Sequence, residues 1–162
     1  KGLMNGTSKT TFGPNDSTTR GMIVTVLYRL ENEPSAAAAS FTDVVSGQYY
    51  TDAVAWANAN GIVTGYGNGK FGPNDVVTRE QLAAILYRYA QYKKYDVSVG
   101  EDTNILSYAD AQSISAYAIP AMQWAGGAGI VNGFNGKLNP QNNATRAEVA
   151  AMLMRYCEKV AK

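Results

Sequence analysis

Apolar residues recur along this chain at helical spacing in three equivalent stretches. Ile23, Val26, Leu27 and Leu30 fall at i, i+3, i+4 and i+7. Leu82, Ile85, Leu86 and Tyr89 repeat that stripe, as do Val149, Met152, Leu153 and Tyr156. A stripe of this kind lies along the buried face of an amphipathic helix. The three helices are predicted to begin at Thr19, Thr78 and Thr145. Shorter helices are predicted near residues 49–60 and 115–127, each ended by glycine, with a Gly-rich loop between short helix and long helix. No strand pattern of any length appears. The expected fold is all-α, with helix-loop-helix repeats in a pseudo-threefold arrangement around a central three-helix bundle, because three equivalent stripes are most simply buried against one another.

The loops and helix starts repeat as closely as the stripes do. Gly61-Ile62-Val63-Thr64-Gly65-Tyr66 leads through Gly69-Lys70-Phe71-Gly72-Pro73 to Thr78-Arg79-Glu80-Gln81. Gly129-Ile130-Val131-Asn132-Gly133-Phe134 leads through Gly136-Lys137-Leu138 to Thr145-Arg146-Ala147-Glu148. An earlier copy keeps Gly2-Leu3-Met4-Asn5-Gly6, Phe12-Gly13-Pro14 and Thr19-Arg20. The arginines at 20, 79 and 146 are thus 59 and 67 residues apart. Upstream half-motifs, Phe41-Thr42-Asp43-Val44 with Trp56 and Tyr108-Ala109-Asp110-Ala111 with Trp124, precede two of the copies. The organisation expected is a partial repeat over 1–34 holding the back half only, a full repeat over 41–95, a linker or insertion over 96–107, and a full repeat over 108–162. The chain starts inside a motif and reads as a fragment or processed product, with an upstream segment or another chain completing the first repeat.

Composition narrows the function. Of 162 residues, 46% are apolar and 17% charged, which suits a folding sequence. Fourteen basic against thirteen acidic residues leave a formal charge of +1, without the basic excess of a nucleic-acid binder. No run approaches the roughly 18 apolar residues of a membrane span. Histidine is absent, which removes Ser-His and Cys-His nucleophiles and makes zinc a poor fit. Cys157 is the single cysteine, on the apolar side of a helix, so no intrachain disulfide forms. No metal, cofactor or catalytic residue is expected.

Thr145 to Glu148 forms a capping box, and Thr78 to Gln81 obeys the same rule. Such a box needs no function, yet an arginine at the first helical position in every copy opposes the helix dipole. Arg79 and Arg146 therefore call for a counter-anion, either a neighbouring carboxylate or an external one held by the fork and the free N–H groups. Lys70 and Lys137 lie nine residues before those arginines and are either solvated loop lysines or second cations on one groove wall. Trp56 and Trp124 suit a core, or an aromatic platform for a pyranose ring. Asp43 and Asp110 are helix caps or acceptors for sugar hydroxyls. Gly65 and Gly133 serve positive φ or keep a groove open. The loops lack the Gly-x4-Gly-Lys-Ser/Thr order of a phosphate cradle. They also fail as calcium loops, since Arg146 occupies the twelfth place counted from Asn135.

In combination these motifs resemble the S-layer-homology family: F-x-D-V at Phe41 to Val44, W-A at Trp56, G-I-V-x-G-Y/F, G-K-F/L and T-R-A-E. The resemblance covers nearly the whole chain. It implies a three-pronged pseudo-trimer with grooves between repeats, binding a secondary cell-wall polymer that bears pyruvylated N-acetylmannosamine. It also ties the T-R-A-E arginine, here Arg79 and Arg146, to that recognition. The function implied is non-covalent anchoring of a surface protein outside the cell, in the wall or S-layer of a bacterium, Gram-positive by analogy. The first copy departs from the pattern, with Thr7 and Thr11 at the aromatic and lysine places and Gly21-Met22 after Arg20. It is expected to lack both the capping box and a working Arg20 groove. A protein-assembly module of a surface lattice or appendage is the alternative. A hydrolase using Asp43 and Asp110 is disfavoured, because those carboxylates occupy corresponding places in separate repeats.

Overall fold

A computed structural model describes residues 17–37, 40–66, 68–99, 108–131 and 137–160. The remainder of the first repeat, most of the 96–107 linker and Gly133 lie outside the described residues. The architecture is all-α: α1 (Arg20–Leu30), α2 (Thr51–Ala59), α3 (Arg79–Tyr92), α4 (Ile119–Gly127) and α5 (Arg146–Lys159). Among the described residues there is no strand. Two single 3-10 turns, Ala111–Ser113 and Ala116–Ala118, lead into α4.

Each long helix starts where its threonine sits. Thr19, Thr78 and Thr145 adopt extended backbone and accept from the amides of Met22, Gln81 and Glu148. The Gln81 and Glu148 side chains return the bond to the threonine N–H, both at 2.9 Å. In the first copy the Met22 sulfur takes that place at 3.4 Å, so the expected loss of its capping box is corrected. A thioether is a weak acceptor, which makes this the feeblest of the three boxes.

The short helices end by a shared device. Gly61 and Gly129 have φ of +72° and +77°. Ile62 N–H then reaches back to Ala57 O at 2.9 Å, and Ile130 N–H to Ala125 O at 2.8 Å. These are Schellman closures, in which glycine accepts the left-handed turn and lets the chain leave as a loop.

All three stripes face inward, and Ile23, Leu27, Leu82, Leu86, Val149 and Leu153 lie in one continuous core. Helix packing crosses from each repeat to the next: α1 lies on α2, and α3 on α4. Tyr28 meets Trp56 at 5.8 Å between ring centroids, and Tyr87 meets Trp124 at 5.6 Å. Between the long helices, α3 and α5 touch through Tyr89 and Tyr156 at 5.8 Å. Isolated bridges tie the helix starts together: Thr19 to Val76, Thr78 to Asn143, and Thr145 to Ser17. They link first repeat to second, second to third, and third back to first.

Candidate functional site

The loop before each long helix is held by an aspartate. Asp43 accepts from the amides of Phe71 and Gly72, both at 2.8 Å. Asp110 accepts from Leu138 and Asn139 at 2.8 and 2.7 Å. Neither caps α2 or α4, whose N-caps make no side-chain bond. Burial pushes both carboxyls up, but the paired amides and the nearby Lys70 or Lys137 outweigh it and leave them below the usual carboxylate range. The aspartates are thus loop clamps.

Gly65 does not have positive φ, contrary to that expectation. It is needed for close approach, since a Cβ there would stand 2.5 Å from the Phe41 ring and 2.7 Å from Lys70 O. Trp56 and Trp124 are 1% and 0% exposed, so neither offers a ring face to a sugar. They fill the seams between repeats, where burying a large aromatic surface gains most.

The loops so held receive an arginine from the preceding repeat. Arg20 Nε donates to Phe71 O at 3.0 Å and Nη2 to Thr64 O at 3.1 Å. Its guanidinium lies 4.9 Å from the Tyr66 ring centroid and 4.6 Å from that of Phe71. Arg79 repeats the first bond one repeat later, Nε to Leu138 O at 3.0 Å. Sequence reading left Lys70 and Lys137 as either solvated loop lysines or second cations beside Arg79 and Arg146. Instead each described loop meets the arginine of the copy before it. Lys70 and Lys137 are exposed and do not line the groove described next.

That groove, about 370 Å³, opens where three repeats meet. Arg20 comes from α1, Thr64, Gly65 and Tyr66 from the loop, Gln81 and Arg88 from α3, and Tyr117 from the turn before α4. Val63, Ala84 and Ile85 form its apolar floor. Arg20 is 7% exposed, and Nη1 has no protein acceptor among the described residues. Burial pulls its pKa below the ordinary value and Arg88 adds to that, against Asp75. Among the described residues no carboxylate lines the groove. Arg20 thus lines a groove whose other walls come from the second and third repeats.

Arg79 has its counter-anion inside the protein, an ion pair between Nη1 and Glu148. Arg146 is buried at the start of α5. Arg88 and Tyr117 were not singled out by sequence reasoning, and Gln81 was read only as a capping residue. A signal for Arg88 was present, because Arg29, Arg88 and Arg155 stand 59 and 67 residues apart, in step with the T-R arginines.

The S-layer homology domain model matches residues 1–21, 40–83 and 107–150. The chain belongs to the S-layer homology domain family. An endoglucanase of Bacillus sp. (strain KSM-635) is 37% identical over 161 residues, 98% of this chain and 17% of that protein. An amylopullulanase of Thermoanaerobacterium thermosulfurigenes is 35% identical over 163 residues, 97% of this chain and 8% of that protein. The surface-layer 125 kDa protein of Lysinibacillus sphaericus is 28% identical over 163 residues, 98% of this chain and 13% of that protein. The chain therefore spans less than a fifth of these relatives' length. S-layer homology domains are non-catalytic modules of cell-surface anchoring, and the relatives carry one as a small part of proteins with different names. Among the described residues no helix is long and apolar enough to cross a membrane, and no acidic or cysteine cluster could hold a metal ion.

Proposed function

We propose that this S-layer homology unit anchors a larger surface protein non-covalently to the bacterial cell wall by binding an acidic saccharide of the secondary cell-wall polymer. The unit inferred is pyruvylated N-acetylmannosamine, and the setting is the extracellular wall of a Gram-positive bacterium. The observation that carries this reading is the Arg20 groove. A deeply buried guanidinium keeps one N–H group there without an acceptor among the described residues, Arg88 stands on the opposite element, and the described lining holds no carboxylate, although Asp75 lies close enough to act on Arg20. A pyruvate ketal presents one carboxylate on a sugar ring, which suits a guanidinium fork beside an apolar floor, while the Tyr66 hydroxyl, already donating to Asp75 at 2.8 Å, keeps lone pairs to accept from sugar hydroxyls. One such contact gives modest affinity, so firm anchoring draws on several sites acting together. The closed cycle of bridges supports a pseudo-threefold placing of the repeats, which would present grooves around one axis.

The test is a pull-down on purified sacculi before and after chemical removal of the secondary polymer. Arg88→Ala is the informative variant, because Arg88 has no hydrogen-bond partner among the described residues, and a thermal melt matching wild type is the expected check on its fold. A charge-assisted contact is worth about 1.5–3 kcal/mol, so binding should weaken roughly ten- to a hundredfold. Added salt should weaken it further. If stripped sacculi bind as well as intact ones, the protein-assembly reading takes over.

A further inference from the structure

The repeat that builds the Arg20 groove has a counterpart one step along the chain, and the two differ at one telling position. Arg20 and Arg79 correspond, each donating Nε to a loop carbonyl of the next repeat at 3.0 Å. Gln81 and Glu148 correspond as the third residues of α3 and α5. Beside Arg79 stands the Glu148 carboxylate, in an ion pair. The corresponding residue in the Arg20 groove is Gln81, a neutral amide in its wall. The second cation differs as well. Arg155 spends an N–H on Ile130 O at 3.2 Å, while Arg88 has no such acceptor among the described residues.

We infer that the two sites are unequal: the Arg20 site is the open anion site for an acidic wall saccharide, and Glu148 holds the Arg79 site shut as an internal stand-in for that ligand. Residue 81 or 148 is then the specificity-determining position of each site. An incoming carboxylate finds an N–H at Arg20 without an acceptor among the described residues, whereas at Arg79 it must displace a carboxylate already in place. Both side chains also close a capping box through the same oxygen, at 2.9 Å to the threonine N–H. Exchanging Gln and Glu therefore keeps the helix start and changes the second polar atom, a charged acceptor oxygen in Glu and a neutral NH2 donor in Gln. The inference rests on the acidic-saccharide reading above.

The exchange is the experiment. Gln81→Glu and Glu148→Gln are made in the whole chain, and binding to polymer-bearing sacculi is measured beside thermal melts and an Arg88→Ala control. Gln81→Glu should weaken binding about tenfold at unchanged melting temperature, and Glu148→Gln should strengthen it several-fold. Unchanged binding by a folded Gln81→Glu, or by Glu148→Gln, overturns the inequality of the two sites. If Arg88→Ala still weakens binding in that case, the acidic-saccharide reading stands without it. If Arg88→Ala and added salt are also without effect, both readings fall together.

Discussion

Replacing Asp43 with Asn tests how the groove loop is held. The carboxylate accepts from two successive amides at 2.8 Å each, and so fixes Phe71, whose ring is fully buried and whose carbonyl receives Arg20 Nε. Asn keeps one oxygen and turns an NH2 group toward the other amide, so one bond is lost and two donors face each other. A hydrogen bond to a charged group contributes about 1.5–3 kcal/mol, and a half-exposed carboxylate belongs at the low end, about 1.5 kcal/mol. For a chain of this length that is a fall in Tm of roughly 3–6 °C. Asp110→Asn should cost the same, and the two should add to about 3 kcal/mol, since the clamps sit in separate repeats. The folded-state pKa of Asp43 is depressed, so its stabilisation is complete above the ordinary carboxylate pKa of about 3.9 and is lost as pH falls through the folded value. Asn does not titrate there, and the gap between wild type and variant should narrow below about pH 4. Urea unfolding at pH 7 and pH 3 measures both effects. A variant as stable as wild type at pH 7, or a gap of equal size at both pH values, refutes the clamp.

Two further changes probe the packing. Gly65→Ala drives a Cβ to 2.5 Å from the Phe41 ring and 2.7 Å from a backbone oxygen, so a loss of about 1–3 kcal/mol is expected by urea unfolding; a loss under 0.5 kcal/mol would show that the loop yields freely. Tyr156 buries its hydroxyl without a hydrogen-bond partner among the described residues, and burial raises its pKa. Tyr156→Phe should thus leave stability unchanged or raise it by about 1 kcal/mol, because an unmade buried bond is removed; a clear loss in a thermal melt means that the hydroxyl is satisfied after all.

Spacing, capping and glycine placement along the chain were enough to set the elements and their ends. Stripes at helical spacing predicted α1, α3 and α5, because a helix with one apolar face has one way to bury it. Thr78 with Gln81 and Thr145 with Glu148 set the helix starts, and Gly61 and Gly129 set the ends of α2 and α4. These are local matters of spacing, capping and φ, decided within a few residues. The repeat itself was legible because the same local signals recur 59 and 67 residues apart. What the sequence could not decide was which copy each side chain meets. Arg20 finds Phe71 O across 51 positions and Arg79 finds Leu138 O across 59, each in the following repeat. A cation nine residues away in the chain looked the nearer partner, yet Lys70 stays exposed outside the groove. The aspartates illustrate the same limit: Asp43 reads as a helix cap or an acceptor for sugar hydroxyls, and only the return of the loop brings two amides to it. Local chemistry fixes each helix, but tertiary packing alone decides which loop an arginine reaches and whether a carboxylate already waits beside it, because the side chains that build the groove come from three copies with nearly the same sequence.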